Sequence, residues 1–198
     1  MSCPDQVLRS EAEIVGLLLK FFAYDVNENT SSSDALLHKF DNKSGVAPKI
    51  SVEVYISRII KYFHQVADGV KAQGDSDVHS DLPVRYFVAT IIYIDRMRAA
   101  KGLNLSPLNV HRLIIAGVLM AAKVLDDLQP SLQWFSELGG VEVHELAELE
   151  LALLDALSFQ VTIDAQLFSR RYQTVLLGNS DNDFKEFDLA AHRKTPPA

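Results

Sequence analysis

The chain has 198 residues, 48% of them hydrophobic and 23% charged, enough for one domain with a full core. A net charge of −7 argues against a phosphate-tracking basic surface, so no nucleic-acid partner is expected. The single cysteine, Cys3, excludes an internal disulfide framework and a CxxC zinc or redox pair.

Pro4, Asp5, Glu11 and Glu13 interrupt the N-terminus before any apolar run, so a secretory signal is not expected and an intracellular protein, nuclear or cytoplasmic, is. Val7, Leu8, Ile14, Val15, Leu17, Leu18, Phe21 and Phe22 recur at helical spacing and predict an amphipathic helix that stops near Tyr24. Asn27 to Asp34 is a polar loop, Ala35 to Phe40 a short helical turn, and Asp41 to Lys49, with Gly45 and Pro48, an extended connector. Ser51 then caps a long helix whose apolar face is Val52, Tyr55, Ile56, Ile59, Ile60 and Phe63, with Arg58 beside it. Asp68 to Asp81 is an acidic loop. Its Asp75, Asp77 and His79 do not make a calcium site, because the position that needs glycine is Ser80 and the closing position is Tyr86 rather than glutamate.

Pro83 opens a helix carrying Val84, Phe87, Val88, Ile91 and Ile94, which ends at Gly102. Ser106 as N-cap and Pro107 at the first helical position predict the start of the next helix, which runs to Asp127. Its apolar residues cover nearly every face, the mark of a central, buried helix. His111 and Arg112 at one end and Lys123, Asp126 and Asp127 at the other leave an uncharged run too short to cross a bilayer. A short helix spans Ser131 to Leu138 and closes at Gly139-Gly140. Glu142 to Leu157 follows, with Leu146, Leu149, Leu153, Leu154 and Leu157 inward, and a last helix runs from Asp164 to Leu177 before Gly178. Residues 179–198 are polar and predict a disordered tail. No stretch alternates with a period of two, so the expected fold is all-α, with five helices between Ser51 and Leu157 flanked by one on each side.

No GxGxxG, GxxxxGK[ST], GxSxG or HExxH is present, so catalysis has no visible home and no metal or cofactor is expected. His111 and His144 stand alone, as packed or solvated histidines do, and Asp126-Asp127 suits a solvated helix end. Lys123 follows Ala121 and Ala122, where an unpaired ammonium is costly. Glu150 has only Leu146, Ala147, Leu153 and Leu154 at helical contact spacing, so its carboxylate needs a partner inside the fold or on another protein. Asp95 and Arg96 likewise follow an apolar run.

Tyr-Ile-Asp-Arg-Met (93–97), Leu-Asn-Val-His-Arg-Leu-Ile-Ile (108–115), Ala-Ala-Lys-Val-Leu-Asp-Asp (121–127) and Leu-Glu-Leu-Ala-Leu-Leu-Asp-Ala-Leu-Ser-Phe (149–159) resemble the cyclin box. Lys-Ile-Ser-Val-Glu-Val-Tyr-Ile-Ser-Arg-Ile (49–59) is similar to the entry segment of the phosphate-signalling and plant P/U-type cyclins, and the resemblance covers residues 48–175. It implies an N-terminal helix and connector at 1–47, a five-helix cyclin box at 48–160 and a C-terminal helix at 161–178, with no second box. It also implies a non-catalytic, activating subunit of a cyclin-dependent serine/threonine kinase, with no small-molecule substrate and no membrane partner. A cyclin-fold adaptor that activates no kinase is the alternative. By resemblance Lys123 and Glu150 reach the kinase, helped by Leu125, Leu128 and Leu154, while Arg58 pairs with Asp95 to join two box helices. The Met-Arg-Ala-Ile-Leu docking patch of cell-cycle cyclins is replaced by Ile-Ser-Arg-Ile-Ile (56–60), so substrate recruitment by that route is not expected.

Overall fold

The computed structural model describes residues 11–22, 34–72, 82–126 and 131–177. The regular elements among them are helical: α1 (Glu11–Leu19), a 3-10 turn (Leu37–Phe40), α2 (Val52–Ala72), α3 (Leu82–Lys101), α4 (Val110–Leu125), α5 (Leu132–Gly139), α6 (Val143–Ala156) and α7 (Ala165–Leu177). The all-α class and the five helices between Ser51 and Leu157, with one on each side, are those the apolar periodicity predicts.

α4 runs through the middle. Between Val110 and Ala122 only Arg112 escapes full burial, and a helix apolar on all faces must be enclosed by neighbours. α3 packs along it, and α6, α5, α2 and the 3-10 turn cover the rest. Phe87, Ile92, Ile114, Leu119 and Leu153 are all 0% exposed, and each such side chain contributes about 1.5–3 kcal/mol by leaving water. Small residues set how closely the helices approach. A Cβ on Gly117 of α4 would run into the Thr90 side chain of α3, with Oγ1 at 2.9 Å and Cβ at 3.0 Å. A Cβ on Gly139 of α5 would stand 2.6 Å from Ile115 Cγ1.

α1 and α7 form a second layer, packed on each other and on α2 and α3 respectively. Phe22 meets Phe87 edge-on at 6.2 Å, and the Arg171 guanidinium lies over the Phe21 ring at 4.8 Å.

The helix ends follow local chemistry. Ser51 Oγ accepts from Val54 N at 3.2 Å, Ser131 Oγ from Trp134 N at 3.2 Å, and Asp164 Oδ1 from Gln166 N at 2.9 Å and Leu167 N at 3.1 Å. α3 and α5 stop at left-handed glycines, Gly102 (φ 66°) and Gly140 (φ 65°). Two boundaries differ from expectation. The central helix begins at Val110 rather than at Ser106-Pro107, because Asn109 folds back, its Oδ1 accepting from Ser106 N at 2.9 Å and its Nδ2 donating to Asn104 O at 3.0 Å. Ser106 Oγ accepts from Leu108 N at 3.3 Å, so this stretch is a turn leading into α4. α2 continues past Asp68 to Ala72, since Gly69, the one breaker in that stretch, costs a helix only about 1 kcal/mol. The remainder of the predicted 68–81 loop, the two ends of the predicted first helix and the 179–198 tail lie outside the described residues.

Candidate functional site

Burial along α4 ends at Ala122, and the next residue, Lys123, emerges at the lip between α4 and α6. Its Nζ donates to Glu150 Oε1 of α6, forming an ion pair whose side chains are 37% and 17% exposed. The two residues singled out as awkward charges therefore meet within the chain, and Lys123 does not wait unneutralised for a counter-charge on another protein. The reason is packing: α4 and α6 lie against each other, so an ammonium and a carboxylate at their common edge compensate each other's desolvation.

Apolar residues adjoin the pair along the chain. Leu154, one turn beyond Glu150, is half-buried against the core. Leu151 is 64% exposed, Val124 37% and Phe159 68%. The Phe159 amide donates to the Leu154 carbonyl at 2.8 Å, bringing the aromatic residue back over the end of α6. Ser158 (φ 49°) and Phe159 (φ 60°) are left-handed without being glycine, at a cost on the order of 1 kcal/mol each. Leu151, Val124 and Phe159 are not among the residues that the sequence singles out. Leu151 had a signal, since it falls outside the inward row Leu146, Leu149 and Leu153, whereas no glycine marks the Ser158-Phe159 turn. Leu125 is half-buried against the core, about 200° around the helix from Lys123, so it does not share that residue's face. Leu128 lies outside the described residues. At the end of α4 the half-buried Asp126 accepts from the Tyr86 hydroxyl of α3.

The expected Arg58–Asp95 pair is not formed. Arg58 lies over the Tyr55 ring at 5.4 Å and donates to the Leu138 carbonyl at the end of α5. Tyr55 OH donates to the neighbouring Gly139 carbonyl at 3.0 Å. Helix C-termini leave carbonyls without helical partners, and a cation there is favoured by the helix dipole, which explains why Arg58 turns to α5. Asp95 faces α7 instead and pairs with Arg171 and, at 3.3 Å, with Arg98.

Neither lone histidine joins this face. His111 is buried, with Nε2 donating to Ile50 O at 3.0 Å and its ring edge-on to Tyr55 at 5.0 Å. Burial holds its pKa below the usual histidine value, against the opposing effect of the Ile50 hydrogen bond. His144 is exposed, 3.8 Å from Glu148. Arg112 to Glu145 (2.7 Å) and Lys43 to Glu148 (2.9 Å) fasten the start of α4 and the connector to α6. The described residues include no group of three or more His, Cys, Asp or Glu able to hold a metal, and no helix long and apolar enough to cross a membrane. A partly exposed ammonium–carboxylate pair at the edge between two helices, with exposed apolar residues next to it in sequence, is compatible with a protein-docking surface.

The cyclin family model matches residues 20–161. The chain is 38% identical to Cyclin-U3-1 of Arabidopsis thaliana over 129 residues, which is 65% of this chain and 50% of that protein. It is 34% identical to Cyclin-U1-1 of the same plant over 123 residues (62% and 50%). To Cyclin-P3-1 of Oryza sativa subsp. japonica it is 28% identical over 170 residues (82% and 64%). The chain spans about half the length of the first two of these relatives.

Proposed function

The chain belongs to the cyclin family, of the plant P/U type, and from that premise we propose that it is the activating, non-catalytic subunit of a cyclin-dependent serine/threonine kinase inside the cell. The observation that carries this reading is the half-open Lys123–Glu150 pair at the common edge of α4 and α6, with the exposed Val124 and Leu151 next to its members in sequence. An incoming kinase helix would lay apolar side chains against these residues and offer backbone polar groups to the ion pair. Held inward there, the kinase's regulatory helix brings its glutamate to the ATP-positioning lysine, so the contribution of this chain is conformational.

Affinity capture from source cells, followed by a phosphorylation assay of the captured complex, tests the proposal. The expected result is a cyclin-dependent kinase that is retained by the wild-type chain and phosphorylates substrate only in its presence. Capture of such a kinase without any gain in activity would favour the adaptor reading, and capture of none would overturn the kinase-partner reading.

A further inference from the structure

Tyr86 is 4% exposed near the start of α3, where an aromatic side chain could pack without any polar contact. Its hydroxyl is instead spent on Asp126, the residue that ends α4 and whose amide donates to Ala122 O at 3.1 Å. The tyrosine ring has little freedom: Phe63 of α2 lies 5.0 Å away, Trp134 of α5 lies 5.2 Å from Phe63, and Trp134 and Phe135 are 4.8 Å apart. Asp126 therefore receives a hydrogen bond from a donor on α3 whose ring packs on Phe63 of α2. Lys123 sits in the same last turn of α4, three residues before Asp126. A helix end otherwise frays, because its last carbonyls lack helical partners.

We propose that Tyr86 is a positioning residue for the kinase-docking face. By fixing Asp126 it holds the last turn of α4 in the orientation that presents Lys123 and Val124 to the partner. The proposal rests on the kinase-partner reading for its consequence, although its structural half stands apart from it. Tyr86 makes no contact with the partner in this scheme and acts only through α4.

Tyr86→Phe removes one oxygen and keeps the ring, and Asp126→Ala removes the carboxylate that accepts from it. Amide hydrogen exchange on the unbound protein is the first readout. In both variants the amides of Lys123 to Asp126 should exchange at least about fivefold faster, with those of Leu113 to Leu119 unchanged. Equal exchange at the end of α4 would overturn the proposal, whether or not a kinase partner exists. The second readout is binding of the captured cyclin-dependent kinase. Tyr86→Phe should weaken it about fivefold or more, mainly through faster dissociation, and Tyr86→Phe with Asp126→Ala should be no weaker than the stronger single effect. Wild-type affinity in Tyr86→Phe would overturn the positioning role. Absence of kinase binding by the wild-type chain would instead overturn the kinase-partner reading and with it the proposed consequence for docking.

Discussion

Arg171 of α7 and Asp95 of α3 form an ion pair that is nearly sealed on the arginine side, with side chains 2% and 18% exposed. The same guanidinium covers the Phe21 ring, so one side chain joins α7 to both α3 and the segment after α1. Removing one member of a buried pair costs about 3–5 kcal/mol, and Arg98, which stays within 3.3 Å of Asp95, should hold the loss to the lower end. For a chain of this size each kcal/mol moves the melting temperature by roughly 2–4 °C. Arg171→Ala is therefore expected to melt about 6–12 °C below wild type, and Arg171→Met, which keeps much of the apolar stem, by less. Circular dichroism melts check this, and a shift under about 2 °C would show that the pair does not hold α7.

Arg58 and Asp95 should behave as strangers. Each has its own partners, Arg58 at the end of α5 and Asp95 on α7, so their effects on stability should add. Arg58→Ala removes a donor from the end of α5 and is expected to cost about 1 kcal/mol. In urea titrations the double variant Arg58→Ala/Asp95→Ala should equal the sum of the single variants within about 0.5 kcal/mol. Coupling above about 1 kcal/mol would mean that the two do pair in solution.

The parts of this molecule legible in its sequence are those decided by neighbours along the chain. Helical periodicity, the Ser51 cap and the terminal Gly102 and Gly140 are such features, and all appear where expected. Lys123 and Glu150 stood out because a charge in apolar company needs compensation wherever the helix lies. The partner of Asp95 depends on how α2, α3 and α7 are rotated about their axes, which spacing does not encode, and the expectation of Arg58 rested on the family resemblance instead. The placement of Phe159 depends on the left-handed Ser158-Phe159 turn, which no glycine marks, and the start of α4 on the fold-back of Asn109.

Gly117 marks a contact with no slack. Thr90 cannot simply rotate away, because its hydroxyl donates to Tyr86 O at 2.8 Å. Gly117→Ala should gain helix propensity worth about 1 kcal/mol and lose more through overpacking, for a net destabilisation of about 1–2 kcal/mol. Thr90→Ala in the same chain removes the obstructing atoms, so the double variant should be more stable than the sum of the two single losses predicts. Strict additivity would place the cost elsewhere.

His111 links stability to pH. Burial disfavours the charged ring, Arg112 adds to that effect, and Nδ1 is buried without a hydrogen-bond partner, while the Nε2 hydrogen bond to Ile50 O opposes them only in part. The folded-state pKa thus lies below the unfolded value of about 6.5. Below about 6.5 the unfolded chain binds this proton more readily than the folded one, so stability present above that pH is lost as pH falls toward the folded pKa. Urea midpoints should therefore decline from pH 7 to pH 5. His111→Gln keeps a donor and does not titrate, so its decline should be shallower. Parallel profiles for the two proteins would remove His111 as the cause.

Lys123 and Glu150 are expected to separate binding from folding. Both side chains reach solvent, and a pair in that setting contributes at most about 1 kcal/mol to stability. Lys123→Ala and Glu150→Ala should therefore each shift the melting temperature by no more than roughly 2–4 °C. At a docking face the same truncations act on groups that become fully desolvated when the partner arrives, where losses of about 2 kcal/mol or more are usual, close to thirtyfold in Kd. Glu150→Gln can still accept a hydrogen bond and should retain more affinity than Glu150→Ala. The paired measurement is kinase affinity by calorimetry and melting temperature on the same preparations. Lost stability with intact affinity would make the pair a structural clasp between α4 and α6, and the docking face would have to be sought elsewhere on the chain.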